Sequence, residues 1–339
     1  MTSVLLTGGA GHLGNVIAGQ LISAGYFVRC TVRDAESAAW LRRRVPNVEC
    51  AIADVLQPDT LRSAMKGMQS VIHTAAAFKL NASDADKEIL EPAIEGTRHV
   101  LEAAARAGAQ RIVYTSSVAA VGSVARGATP LDERSWNRGA KHPYVIAKTQ
   151  AELLAWQLAK EFKLDLVTIC PGTILGPSFR QFSPSTQIFR TLMSGKMTAI
   201  PPMHFAYVDV RDVAQAHVMA LQRAAAYGRY IVSGAELPLA DFVAAVRRAR
   251  PELNLPERHV PGWLFKLMLR AAELRKGGQY GATEESLLRE FCDTEQRFNT
   301  SRARDELDFK PCPIEGTVHD TLDWLESPAG PKVEALVPA

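Results

Sequence analysis

A surplus of charge is missing from this 339-residue sequence: 39 Lys and Arg stand against 36 Asp and Glu, a net +3. So small an imbalance leaves no electrostatic footprint for nucleic acid or an anionic surface. Long apolar runs are missing too. Nothing approaches the ~18 consecutive apolar residues that span a bilayer. The best stretch, Trp263-Leu264-Phe265-Lys266-Leu267-Met268-Leu269-Arg270, carries two charges in eight residues. It reads as an amphipathic helix packed on the protein or covering a cleft, so no stable membrane insertion is expected. Cysteine is sparse, and Cys30, Cys50, Cys170, Cys292 and Cys312 include no C-x-x-C pair. No His, Cys and carboxylate cluster has ligand spacing, so no metal is expected. Cys30 and Cys170 lie in apolar runs, where a reduced thiol packs as a small hydrophobe. The first residues show no basic start and no small-residue cleavage site, and together these signs read as cytoplasmic. Repeats and low-complexity blocks are also missing. With 47 % hydrophobic and 22 % charged residues, disorder and fibrous states are excluded.

What the sequence does hold is alternation. Apolar runs at 4–6, 27–32, 48–51, 71–73, 111–115 and 164–169 read as strands. Helical spacing occupies 15–24, 61–68, 94–107 and 144–161. Strands alternating with helices of this length predict βαβ units and a parallel sheet, an α/β fold. After Cys170-Pro171-Gly172 the rhythm breaks. Pro177, Pro184, Pro201 and Pro202 punctuate loops around one helix at 187–193. A strand at 207–210, a helix at 213–224 and a strand at 230–232 follow, and 239–325 reads as mostly helical. The tail from 327 onward, with Pro328, Gly330, Pro331 and Pro338, reads as disordered.

Between the first strand and first helix lies Thr7-Gly8-Gly9-Ala10-Gly11-His12-Leu13-Gly14. Gly8, Gly11 and Gly14 have the spacing G-x-x-G-x-x-G. A dinucleotide pyrophosphate needs a tight turn, close backbone approach and a helix N-terminus aimed at it, and this segment supplies all three. A glycine-rich structural turn is the bland alternative, weakened by the strand before and the helix after. His12 and Leu13 offer backbone to a phosphate; the His12 ring need not take part. The end of the second strand should reach the adenosine ribose. There Arg33 can fork onto a 2′-phosphate, whereas Asp34 suits a free 2′-hydroxyl. The order favours NADPH over NADH. Asp54-Val55 after the third strand can hold the adenine amino group, or Asp54 only starts a turn.

Tyr144-Val145-Ile146-Ala147-Lys148 is Y-x-x-x-K. On a helix, i and i+4 share a face, so phenol and ammonium converge. A phenol of pKa near 10 is a poor acid or base at neutral pH, and a neighbouring cation brings it toward use on a carbonyl or alcohol. Ser117 follows the fifth strand, on the edge where parallel sheets bind ligands, and its hydroxyl can hold a substrate oxygen. Alone, the pentapeptide also describes a snorkelling lysine beside a half-buried tyrosine; its order after the glycine turn and the Ser-Ser strand end points to chemistry. His142 reads as a loop-surface residue, and Tyr207 as packing or a substrate contact.

Together these residues resemble the extended short-chain dehydrogenase/reductase family, in its dihydroflavonol-reductase-like branch of cinnamoyl-CoA, ketone and aldehyde reductases. The resemblance runs from about residue 4 to 177 and continues loosely to 309. It implies a Rossmann-type doubly wound sheet with a smaller, mainly helical C-terminal substrate lobe. It also implies that Ser117, rather than Ser116, joins Tyr144 and Lys148 as the catalytic set. Cys30-Thr31-Val32-Arg33-Asp34 resembles the branch's NADPH-selecting segment, and Glu91-Pro92-Ala93-Ile94-Glu95-Gly96-Thr97 its P-A-I-x-G-T helix start, with Ala93 where sugar-nucleotide epimerases carry Asn. His73-Thr74-Ala75-Ala76 resembles the segment that passes the cofactor ribose, which assigns Ala75 and Ala76. Pro171, Gly172 and Thr173 fall in the loop beside the nicotinamide. A second basic residue common in the branch is replaced near its place by Trp40, with Arg42 or Arg43 as substitutes. At 299–309 the family's S-x-A-x-x-x-L-G-F stretch has Asp308 in place of Gly.

The expected domains are a dinucleotide-binding unit at 1–172, with 206–234 returning to it, a substrate lobe at 173–205 and 235–326, and a tail at 327–339. The expected activity is NADPH-dependent reduction of a small apolar or aromatic ketone or aldehyde. Alternatives are an NAD-dependent nucleotide-sugar epimerase or dehydratase, a hydroxysteroid-type dehydrogenase, and, more remotely, a cofactor sensor. In related enzymes two long helices pair the subunits, here those containing Val100 and Leu154; a homodimer and a monomer both stay open.

Overall fold

The computed structural model describes residues 2–75, 82–275 and 284–333. The chain runs β1 (Ser3–Thr7), α1 (His12–Ser23), β2 (Phe27–Val32), α2 (Ala35–Arg44), β3 (Glu49–Ile52), α3 (Pro58–Met65), β4 (Ser70–His73), α4 (Glu91–Ala107), β5 (Arg111–Thr115), α5 (Val118–Val121), β6 (Val124–Ala125), α6 (Pro143–Phe162) and β7 (Leu166–Pro171). It continues through β8 (Thr173–Leu175), α7 (Gln187–Met193), β9 (His204–Asp209), α8 (Val210–Gln222), β10 (Gly228–Val232), β11 (Ala235–Pro238) and α9 (Leu239–Ala249). The last elements are α10 (Gly262–Arg275), α11 (Glu284–Phe291), β12 (Thr294–Glu295), α12 (Ser301–Leu307) and α13 (Ile314–Glu326).

Seven strands form one parallel sheet in the order β3-β2-β1-β4-β5-β7-β10. Parallel neighbours need crossover connections, which place helices on both faces and bury the strands as apolar runs. Side chains alternate between the faces. Val4, Leu6, Ile72, Val113 and Val167 pack under α1, α2, α8 and α12, while Leu5, Val71, Ile112, Tyr114 and Leu166 pack under α3, α4 and α6. Helix α4 is entered through a π-helical turn over Asp86–Leu90, so the helical backbone starts before the first apolar-periodic residue and Pro92, which has no N–H, directly follows that turn. Val100 of α4 is fully buried and Leu154 of α6 half-buried.

A second, three-stranded sheet, β11-β9-β8, carries the smaller lobe. Residues 204–209 thus pair within this small sheet, and α8 and β10 make the return to the large one. The lobe core holds Phe179, Phe189, Phe242, Val318 and Leu322. Helix α10 buries Phe265 and Leu269 and leaves Trp263, Leu267 and Met268 exposed. Asp308 takes φ 55° at the end of α12, the left-handed conformation that explains why the resembling stretch has glycine there. All five cysteines are unpaired, and among the described residues no helix is long and apolar enough to cross a membrane. In the expected tail, Val333 packs on the lobe core; 334–339 lie outside the described residues.

Candidate active site

The glycine turn leads from β1 into α1 at the C-terminal edge of the large sheet. Gly8 has φ 74°, a conformation costly for any side chain. A Cβ on Gly14 would collide with the Gly8 carbonyl, so the helix start lies directly on the turn. Gly9 N–H donates to the Thr31 carbonyl at 3.1 Å, fixing the turn to β2. Helix α1 begins at His12 with Gly11 as N-cap, no side-chain cap and no acid in its first turn. Such an end offers N–H groups and a positive dipole to an anion, so the residues fit a dinucleotide pyrophosphate. Thr7 Oγ1 meets His73 Nδ1 at 2.7 Å and accepts from Ala75 N–H at 3.2 Å, which sets Ala75 beside the turn. Ala76 lies outside the described residues.

The His12 ring is tied to the lobe. Its Nε2 lies 3.1 Å and 3.0 Å from the carbonyls of Gly176 and Pro177, and its face meets the edge of Phe179. Asn15 adds a bond to the Ser178 carbonyl at 2.9 Å. This loop then delivers Arg180 to the start of α2, where it contacts Glu36 at 2.9 Å and Ser37 at 3.5 Å. Asp34 is occupied as the N-cap of α2, accepting from Ser37 N–H at 2.7 Å. Arg33 beside it is exposed. Arg42 and Arg43 sit at the other end of α2, a helix length from Arg33, so Arg180 is the second cation at this end. Asp54 accepts from Leu56 N–H at 2.9 Å and thereby starts a turn, while Val55 packs against Gly96.

Ser117 and Tyr144 line one cavity, and Lys148 follows Tyr144 by one turn of α6. The Ser117 hydroxyl accepts from Ala119 N–H at 3.1 Å as N-cap of α5 and lines the same cavity as the Tyr144 ring. Burial pushes the Tyr144 phenol up to about 12, against the opposing pull of Ser117. Burial likewise pulls the Lys148 ammonium down to about 8, opposed by the nearby Glu152 carboxylate. His142 is not a loop-surface residue: it is fully buried, and its Nδ1 caps α6 by accepting from Tyr144 N–H at 3.1 Å. Four residues beyond Lys148, on the same face of α6, Glu152 is buried in a bidentate pair with Arg229 of β10 at 2.8 and 3.0 Å. It also accepts from Ser116 at 2.6 Å and Thr168 at 2.9 Å. Ser116 therefore bonds inward to Glu152, whereas Ser117 lines the cavity with Tyr144.

Ser117 and Tyr144 form one wall of a cavity of about 260 Å³. Gly172 and Thr173 join them, and Ile188, Met203, Phe205, Leu239 and Phe291 close it from the lobe. None of its described lining residues is charged. A His319, Asp320 and Asp323 trio gathers on α13, but Arg211 and Arg250 already hold both carboxylates at 2.7 and 2.5 Å.

Comparison with known proteins gives the family and the fold. The NAD dependent epimerase/dehydratase family matches residues 4–233. The chain belongs to that family. Within it, the protein is an extended short-chain dehydrogenase/reductase of the dihydroflavonol-reductase and cinnamoyl-CoA-reductase-like branch, at about 30 % identity. It is 31 % identical over 271 residues to cinnamoyl-CoA reductase CAD2 of Medicago truncatula, covering 75 % of this chain and 83 % of that one. Among solved structures, gox2253 matches with a TM-score of 0.84 at 29 % identity, over 96 % of this chain and 98 % of its own. The yeast methylglyoxal/isovaleraldehyde reductase Gre2, solved with NADPH, shares the fold at a TM-score of 0.78 and 24 % identity, over 96 % and 98 % of the two chains.

Two buried histidines, His73 and His217, give the fold an acid-sensitive margin. His73 is pulled down to about 3 by burial and by Lys148, and His217, which meets Thr115 Oγ1 at 2.8 Å, to about 4 by burial. Unfolded histidine protonates near 6.5, so between 6.5 and 4 the unfolded chain binds protons that the folded one refuses. Stability is therefore expected to be flat above pH 7 and to fall as pH drops through that window, before ordinary carboxylates titrate. Thermal melts at half-unit pH steps measure it; a constant Tm from 7 to 4.5 contradicts it.

Proposed function

We propose that this protein is an NADPH-dependent carbonyl reductase of a reducing, cytoplasmic compartment, converting a small apolar or aromatic ketone or aldehyde into an alcohol. The observation that carries the reading is that Ser117 and Tyr144 together line a cavity whose described residues are uncharged. A bound reduced nicotinamide supplies the hydride to the carbonyl carbon. Tyr144, protonated at neutral pH, gives its hydroxyl proton to the oxygen as charge gathers there. Ser117 holds that oxygen in line, and its engagement by Ala119 N–H leaves its own proton to donate. Lys148 places a positive charge beside the developing phenolate. A nucleotide-sugar substrate would need cations facing its diphosphate, and none of the described lining residues supplies one.

Cofactor selection follows from the start of α2. Asp34 is committed to Ser37 N–H, whereas Arg33 is exposed and Arg180 stands across Ser37. Fluorescence titration is expected to show NADPH bound more tightly than NADH. Arg33→Ala should weaken NADPH about tenfold or more and change NADH little, since one charge-assisted contact is worth on the order of 1.5–3 kcal/mol. Equal affinity of the unaltered protein for the two coenzymes would remove the NADPH assignment. Oxidation of NADPH by simple aldehydes tests the activity itself.

A further inference from the structure

The cavity wall away from Ser117 and Tyr144 is not wholly apolar. Tyr207 lies on β9, opposite Thr173 of β8, and its ring is stacked on Phe242 at 4.7 Å. It is 2 % exposed, lines the cavity, and its hydroxyl has no hydrogen-bond partner among the described residues. Gln296, 6 % exposed, lines the same cavity. Its Oε1 accepts from Ala206 N–H at 3.0 Å. A backbone N–H can only donate, so the amide oxygen must face it, and the amide NH2 is turned away with both protons unspent. Neither the phenol oxygen nor the amide nitrogen is among the sealed, unpartnered atoms of the described residues, which are on Gln20, Arg111, His204 and Ser233. Both atoms are therefore accessible, and the residues that carry them line the cavity. Burial raises the Tyr207 phenol far above its ordinary range, so it stays neutral and keeps its proton to donate.

Resting on the carbonyl-reductase reading, we infer that Tyr207 and Gln296 recognise a second, neutral oxygen on the substrate, apart from the carbonyl held by Ser117 and Tyr144. The substrate class is then an uncharged aldehyde or ketone bearing a hydroxyl, an ether or a second carbonyl on an apolar body. Buried donors are left unsatisfied by an analogue that lacks the oxygen, and this makes such sites discriminate strongly against it. A carboxylate at the same place would be refused, because no described cavity residue carries a positive charge.

The test uses the full chain, NADPH and four probes: benzaldehyde and its 3-hydroxy, 4-hydroxy and 4-carboxy derivatives. At least one hydroxybenzaldehyde is expected to exceed benzaldehyde in kcat/KM by about tenfold, and the carboxy compound to fall below it. Tyr207→Phe keeps the ring on Phe242 and should bring the hydroxy-to-plain ratio close to one. Calorimetry on the NADP+-saturated protein should show the same loss of preference between the corresponding hydroxybenzyl and benzyl alcohols. A ratio near one for every hydroxy isomer in the unaltered protein overturns the inference and leaves the reductase reading intact. A ratio that survives in Tyr207→Phe while NADPH affinity drops also overturns it, since the hydroxyl then serves the coenzyme. Failure of every probe to oxidise NADPH overturns the reductase reading and this inference with it.

Discussion

Tyr144→Phe is expected to lower kcat by about 10³-fold while leaving coenzyme affinity within a small factor of the parent. The phenylalanine keeps the ring and its packing and loses only the hydroxyl, which shares the cavity wall with Ser117. A positioned general acid contributes roughly 10²–10⁴ in rate, and the Ser117 hydroxyl, held by the Ala119 backbone N–H, has a pKa too high to replace it. The loss should appear in kcat and in kcat/KM together, the mark of an interaction made in the transition state. Steady-state kinetics on any accepted aldehyde, with coenzyme fluorescence alongside, makes the measurement. A kcat within tenfold of the parent would falsify the assignment of Tyr144 as proton donor.

Glu152→Ala should cost more stability than any surface change. The carboxylate is fully buried and gathers Arg229, Ser116 and Thr168 around it, while Arg229 also donates to the carbonyls of Glu133 and Ser135 and lies 3.8 Å over Trp136. Removing one partner of a buried pair strands the other charge, a loss of about 3–5 kcal/mol. Urea unfolding should therefore show a lower midpoint with an unchanged slope. The paired replacement of Glu152 and Arg229 by Met leaves no stranded charge and should recover most of the loss. A double variant no more stable than Glu152→Ala would assign the cost to packing. Lys148 feels Glu152 directly, so the single variant should also shift the pH profile of any residual activity.

What the sequence could reveal followed the range of the interactions. The parallel sheet was legible because its strands are buried on both faces and its helices are long. Tyr144 and Lys148 were legible because one helical turn joins them. Helix α2 escaped notice because it buries only Ala38 and Leu41, too thin an apolar stripe to show a period. Strands β8 and β11 escaped because three or four residues cannot display alternation. His142 misled because Pro143 beside it reads as a loop signal, although the same proline opens α6 and the histidine caps it. Arg180 reaches Glu36 across 144 positions and Gln296 reaches Ala206 across 90, and no local pattern foretells such meetings. Glu152 sat in plain view on the face of Lys148, but its counter-ion is 77 residues away.

That last separation bears on the order in which the protein is made. Synthesis delivers Glu152 well before Arg229, and the rest of α6, then β7, β8, α7, β9 and α8 come between them. Until β10 emerges from the ribosome, the carboxylate has its hydroxyl neighbours and the nearby Lys148 but lacks its bidentate guanidinium, so sealing it against the sheet is less favourable. Before β10 is added, β7 is a bare edge, the form most prone to pair with another chain. The seventh strand brings the guanidinium partner of Glu152 and covers that edge together.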